Sequence, residues 1–190
     1  MTKWSFLLLL ASTGTIPGLK AQPECSGVYL TASDFMDGRL SYASAGRSTS
    51  KESFFNLLAK NHLFIIRPDF AWKRVSKKDV FAIKSCEGEI VRIYDGNNYY
   101  LQNLGDCIPI YKKIISPASK GNNYRVKYFF SIDPVSEIQD LTLDNLKAAF
   151  PDNHRFEHAL DTNFRDESDL YAYNSTKKYF ELTRIYETCK

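Results

Sequence analysis

A chain of 190 residues with 44% hydrophobic and 14% aromatic side chains carries enough apolar material for a folded core, and this excludes a disordered chain. Its 25 Lys and Arg stand against 22 Asp and Glu, and the bases occur as short pairs such as Lys77-Lys78, Lys112-Lys113 and Lys177-Lys178. That balance argues against nucleic acid as a partner, because phosphate binding needs bases clustered on one face.

The N-terminus reads as a secretory signal peptide over residues 1–21. Lys3 supplies the positive start, Trp4 to Leu10 the apolar stretch, and Leu19-Lys20-Ala21 the cleavage site. The apolar stretch is too short to span a bilayer, which takes about 20 residues, and no later run approaches that length, so no transmembrane segment is expected. Cleavage after Ala21 removes two bases and no acid, leaving residues 22–190 as one nearly neutral domain, secreted or periplasmic. Gln22-Pro23-Glu24 before Cys25 is not the small apolar run of a lipoprotein site, so a soluble form is expected.

Two short helices open this domain. Thr31 and Asp34 are spaced as a capping box for Thr31–Met36, and Phe54, Phe55 and Leu58 share a face of Lys51–Ala59. Strand-rich sequence follows over about 62–131. His62 to Arg67 stops before Pro68; Val80 to Lys84 and Glu89 to Tyr94 join through Cys86-Glu87-Gly88; Asp95-Gly96 turns into Tyr99 to Leu101; Gly105-Asp106 leads to Ile108 to Ile115. After Gly121-Asn122-Asn123, Tyr124 to Phe130 shows the cleanest alternation. The expectation is an antiparallel meander, either an open sheet or a small barrel.

The last glycine is Gly121 and the last proline Pro151, so the chain turns helical over about 142–188. Thr142 caps a helix with the stripe Leu143, Leu146 and Phe150, ended by Pro151; Asn153 caps a second with Phe156, Leu160 and Phe164; Asp169 to Thr188 reads as a third through Tyr179, Leu182 and Tyr186, although Tyr179 to Tyr186 is also β-prone. The fold class is therefore α+β, a meander followed by packed C-terminal helices.

Cys25, Cys86, Cys107 and Cys189 form an even set in an exported chain, which favours disulfides. Of three pairings, Cys25–Cys189 at the two chain ends with Cys86–Cys107 at strand ends is the one expected. Zinc at the cysteines lacks C-x-x-C spacing and neighbouring histidines.

His154-Arg155-Phe156-Glu157-His158 matches H-x-x-E-H, which on a helix would aim His154 and His158 at one metal with Glu157 polarising water. A third ligand would come from Glu167, Glu181 or Glu187, none of which carries a motif, and the stripe leaves both histidines on the polar flank. No G-x-S-x-G elbow or phosphate loop occurs. Asn174-Ser175-Thr176 has the form of a glycosylation sequon. The recognition surface expected is the segment Tyr94, Asn97, Asn98, Tyr99, Tyr100 and Gln102, where rigid aromatics stand beside adaptable amides. Tyr99 and Tyr100 are consecutive in a strand, so one ring should enter the core while the other faces outward.

The opening Gly27-Val28-Tyr29-Leu30-Thr31-Ala32-Ser33-Asp34-Phe35 and the segment Leu143 to His154, behind an exported N-terminus, resemble small exported proteins of Bacteroidetes bacteria. The resemblance implies a periplasmic or secreted setting and brings no reaction, cofactor or site residue. Size, export and meandering strands are also similar to lipocalins, although the expected G-x-W is missing, Trp72 following Phe70 at that spacing. The function expected is that of a non-enzymatic, cofactor-free binding or envelope-associated protein for a protein, peptide or glycan. A small zinc hydrolase and a lipocalin-like carrier are the alternatives.

Overall fold

Alternation along the strands sets the layers. In a computed structural model, which describes residues 25–43, 62–66, 72–115 and 124–190, β6 (Ile90–Tyr94) sends Val91 and Ile93 to one face of a sheet and Ile90 to the other. The signal peptide, the Lys51–Ala59 helix and the Gly121-Asn122-Asn123 turn lie outside the described residues, as does Arg67 at the end of its strand.

The main sheet has eight antiparallel strands in the order β10-β9-β8-β7-β6-β5-β1-β2. Its members besides β6 are β1 (Gly27–Tyr29), β2 (Tyr42–Ala43), β5 (Ala82–Lys84), β7 (Asn97–Leu101), β8 (Ile110–Ile115), β9 (Arg125–Phe130) and β10 (Gln139–Asp140). The meander is thus an open sheet, and its edges are two-residue strands, too short to template further pairing. The strands β3 (His62–Ile66) and β4 (Trp72–Ser76) make a separate hairpin, and β11 (Tyr173–Asn174) pairs with β12 (Tyr179–Phe180).

Both faces of the main sheet are packed. On one, Val28, Ile83, Val91 and Ile93 meet Val75 and Val80 from the β4 segment, while Ile110 and Phe130 meet the C-terminal helices α2 (Leu143–Ala149), α3 (His154–Asn163) and α4 (Glu181–Cys189). Leu146, Phe156, Leu160, Leu170 and Leu182 complete that second cluster, and each such burial is worth about 1.5–3 kcal/mol. On the opposite face, Tyr29, Ala82 and Ile90 receive Phe35 from α1 (Ala32–Met36), and Tyr99, Tyr111 and Phe129 receive Ile138 from the β9–β10 connection.

Local chemistry explains the punctuation. The Asp95-Gly96 turn has positive φ at both residues, 46° and 69°, the two-residue geometry that matches strand twist. Thr31, Thr142 and Asn153 cap α1, α2 and α3, their side-chain oxygens accepting from the amides of Asp34, Asn145 and Phe156. At Gly27 a Cβ would run into the Tyr42 carbonyl oxygen, so β1 and β2 can approach only because that residue is glycine.

Two expectations need correction. Asp169 to Thr188 is not one helix: Asp169–Tyr171 is a 3-10 turn, the β11–β12 hairpin follows, and only Glu181–Cys189 is α-helical. Asn174 makes the break by accepting the Lys177 amide on its side chain and the Lys178 amide on its carbonyl, with Lys178 at φ 59°. The disulfide pairing also differs. Cys25 is joined to Cys86, and Cys107 and Cys189 carry free thiols. Because β1 lies against β5 with Gly27 opposite Lys84, Cys25 and Cys86 extend the same register by two residues on each strand, which neither Cys189 nor Cys107 can match.

Candidate functional site

The six hairpin residues expected to recognise a ligand fall on two faces. Tyr99 is 7% exposed and packs edge-on to Tyr94, Tyr111 and Phe129 at centroid distances of 6.4, 6.5 and 5.0 Å. Tyr100 is half-buried against the Val91 and Ile93 cluster on the other face. Burial holds both phenols above their usual titration range. The outward ring expected of one of them is therefore not there: alternation sends them to opposite faces, and both faces are covered. The amides serve the hairpin itself, Asn97 donating to the Asp95 carbonyl and Gln102 to that of Tyr100, both at 2.8 Å, while Asn98 is half-buried.

Beside this hairpin lies a buried cation that sequence pattern did not single out. Arg92, directly across from Tyr99, is 3% exposed, with its guanidinium carbon 4.9 Å from the Phe81 ring centroid and 5.5 Å from that of Tyr94. It donates to the Val135 carbonyl at 2.8 Å and so ties the β9–β10 connection to the sheet, while Nε and Nη1 have no partner among the described residues. Asp133 holds that connection in shape through the Ser136 hydroxyl and the amides of Val135 and Ser136. Those bonds, the Ser136 hydroxyl first, keep its carboxyl below the usual range.

Among the described residues an open cleft lies elsewhere, where the α2–α3 turn meets the end of α4. Phe150 closes α2, Pro151 prevents its continuation, and Asn153 restarts the chain as α3. This tight turn leaves an open cleft of about 650 Å³ lined by residues 149–155 with Tyr186, Cys189 and Lys190. Its aromatic wall is Phe150 and Tyr186, 4.8 Å apart, backed by the buried Phe156 at 5.5 Å from Phe150 and 5.0 Å from Tyr186. Its rim carries two cations, Arg155 and Lys190, beside Asp152. Lys190 sits 5.4 Å over the Tyr186 ring and donates to the Cys107 sulfur at 2.7 Å, a bond that raises its pKa. Arg155 is exposed and reaches the Thr188 carbonyl at 3.4 Å.

His154 lines the same cleft with its side chain 85% exposed, 3.6 Å from the Glu157 carboxylate, and His158 is exposed one turn on. The H-x-x-E-H residues thus occupy the solvent flank of α3 while Phe156 and Leu160 take the buried one. Among the described residues no group of three or more His, Cys, Asp or Glu side chains gathers as a metal site. The cleft joins residues 149–155, around the α2–α3 turn, to the end of α4, and the sequence signals within it are the cap Asn153 and the helix-ending Pro151. Comparison with protein-family models, with curated proteins and with solved structures finds no match.

Proposed function

We propose that this is an exported, non-enzymatic binding protein, and that its ligand enters the cleft between the α2–α3 turn and the end of α4. The observation that carries the reading is the pairing of an aromatic wall, Phe150 and Tyr186, with a rim that includes Arg155 and Lys190. The start of α3 opens at the same place, and the first amides of a helix have no partner within it and favour negative charge. A carboxylate attached to an apolar or aromatic group, as at the end of a peptide, matches both halves: the ring stacks on the wall while the anion meets the rim. Asp152, on the same rim, selects against highly charged anions.

Export is supported by the leader-like N-terminus and by the Cys25–Cys86 disulfide, which suits an oxidising compartment. Among the described residues no helix is long and apolar enough to cross a membrane. A binder is favoured over a zinc hydrolase by the placing of His154 and His158 one turn apart on the exposed flank of α3, without a third ligand beside them in the described residues.

Titration with N-acetyl-phenylalanine and with its amide, followed by backbone amide chemical shifts, tests this. The acid is expected to move resonances of residues 149–155 and 186–190 and to bind about tenfold more tightly than the amide, a difference of about 1.4 kcal/mol. Shifts confined to other surfaces, or none with either compound, would reject the cleft as the site.

A further inference from the structure

The Cys25–Cys86 disulfide leaves one pair of cysteines, and the fold brings the segments that hold them together. Cys107 lies in the β7–β8 connection, which is fixed by the buried Asn103: its amide donates to the Ile108 carbonyl at 2.8 Å and to Asp106 at 3.0 Å, and its oxygen accepts from the Ile110 amide at 2.6 Å. From that fixed loop the Cys107 sulfur reaches Glu187 at 3.6 Å and Lys190 at 2.7 Å. Those two residues flank Cys189, the last residue of α4.

We propose that Cys107 and Cys189 are the site of a second disulfide, which fastens the end of α4 to the β7–β8 loop. The sulfurs are unbonded in this structure, Cys189 turning toward the cleft and the Phe150–Tyr186 wall while Cys107 meets the Glu187 and Lys190 side of the helix. The rigid partner is the Cys107 loop, so the adjustment falls on the final turn of α4. That turn is suited to it, because its last carbonyls lack intrahelical donors and helix ends fray readily. From α3 it is held by the long Arg155 bond to the Thr188 carbonyl, at 3.4 Å.

The chemistry is thiol–disulfide exchange with a disulfide donor, whether a small molecule or an oxidoreductase of the export compartment. One protein thiolate attacks a donor sulfur, expelling one donor thiol and forming a mixed disulfide. The other protein thiolate then attacks the protein sulfur, expelling the second donor thiol. Two protein thiols and one donor disulfide become one protein disulfide and two donor thiols. Closure withdraws Cys189 from the cleft wall and frees Lys190 from the Cys107 sulfur, so the same bond reshapes the rim.

The test is peptide mapping of the folded protein, with Cys25–Cys86 intact, after incubation with oxidised glutathione and alkylation by iodoacetamide. Trypsin places Cys107 in residues 93–112 and Cys189 in residues 185–190. The expected result is a linked 93–112/185–190 species that disappears on reduction, with complete loss of labelling at both cysteines. Cys107→Ser should restore labelling, or glutathione capture, at Cys189. Glutathione held separately on both cysteines of the unaltered protein, a bridge between two copies, or full alkylation of both would overturn the proposal.

Discussion

Cys25 and Cys86 stand across from one another with Cα atoms 4.5 Å apart, two residues beyond the Gly27–Lys84 pair of the β1–β5 ladder. The spacing is that of a non-hydrogen-bonded antiparallel pair, so the strand register itself delivers the two sulfurs. The bridge closes a sequence separation of 61 residues, which includes β2, β3 and β4. Replacing both cysteines by serine should cost about 2–4 kcal/mol, read as a lower urea midpoint with a steeper slope, since the unfolded chain loses its cross-link and exposes more surface. An unchanged midpoint would show that the sheet holds β1 without it.

Gly27→Ala tests the close approach of β1 and β2. The added methyl would press on the Tyr42 backbone, which cannot turn aside as a side chain would. A loss of about 1–3 kcal/mol is expected, with amide exchange accelerating first in residues 41–43. If exchange there is unchanged, the edge strand does not depend on that contact.

Arg92 separates packing from charge. Its stem and guanidinium fill space beside Phe81 and Tyr94, yet two of its donor nitrogens are buried without a partner among the described residues. Arg92→Met keeps most of the volume and removes the unpaired donors, so its stability should lie within about 1 kcal/mol of the parent. Arg92→Ala leaves a cavity and should cost about 2–4 kcal/mol by thermal melting. Equal losses for both would mean that the Val135 bond, not the packing, dominates.

Acid should loosen the segments held by Asp133 and Asp34. Asp133 is depressed chiefly by the Ser136 hydroxyl, and Asp34 chiefly by the Ser41 hydroxyl with Arg39 next. A carboxyl whose folded pKa is lowered contributes stability that is fully present above its unfolded value, near 3.9, and is lost as pH falls through the lower folded value. Melting temperature should therefore drop below about pH 4, and Asp133→Asn should flatten the drop. An identical acid limb in that variant would move the effect to other carboxyls.

The meander and the first two C-terminal helices were legible because their signals are local. Asp95-Gly96 demands a tight turn, Thr142 and Asn153 are caps, and Phe156 and Leu160 repeat at helical spacing. What escaped depends on partners distant in sequence. Gly27–Tyr29 is a three-residue strand recognisable only beside β5, and with it went the true partner of Cys25. One of Tyr99 and Tyr100 is expected to face outward because alternation alone implies one free face, whereas Val75 and Val80 pack into the cluster that also receives Tyr100. At β12 two local signals compete, the helical spacing of Tyr179, Leu182 and Tyr186 and the β-prone character of the same run, and the Asn174 turn decides for the hairpin at Tyr179–Phe180. The cleft joins an interhelical turn to a helix end, a meeting no single segment encodes.

The measurement closest to the central claim sets the cleft against the hairpin in one titration with N-acetyl-phenylalanine. Arg155→Ala removes an exposed cation from the cleft rim, and Asn97→Ala removes an amide from the β6–β7 turn. The account predicts about tenfold weaker binding for Arg155→Ala and parental affinity for Asn97→Ala. Weakening by Asn97→Ala with Arg155→Ala unchanged would contradict it and return the binding surface to the hairpin.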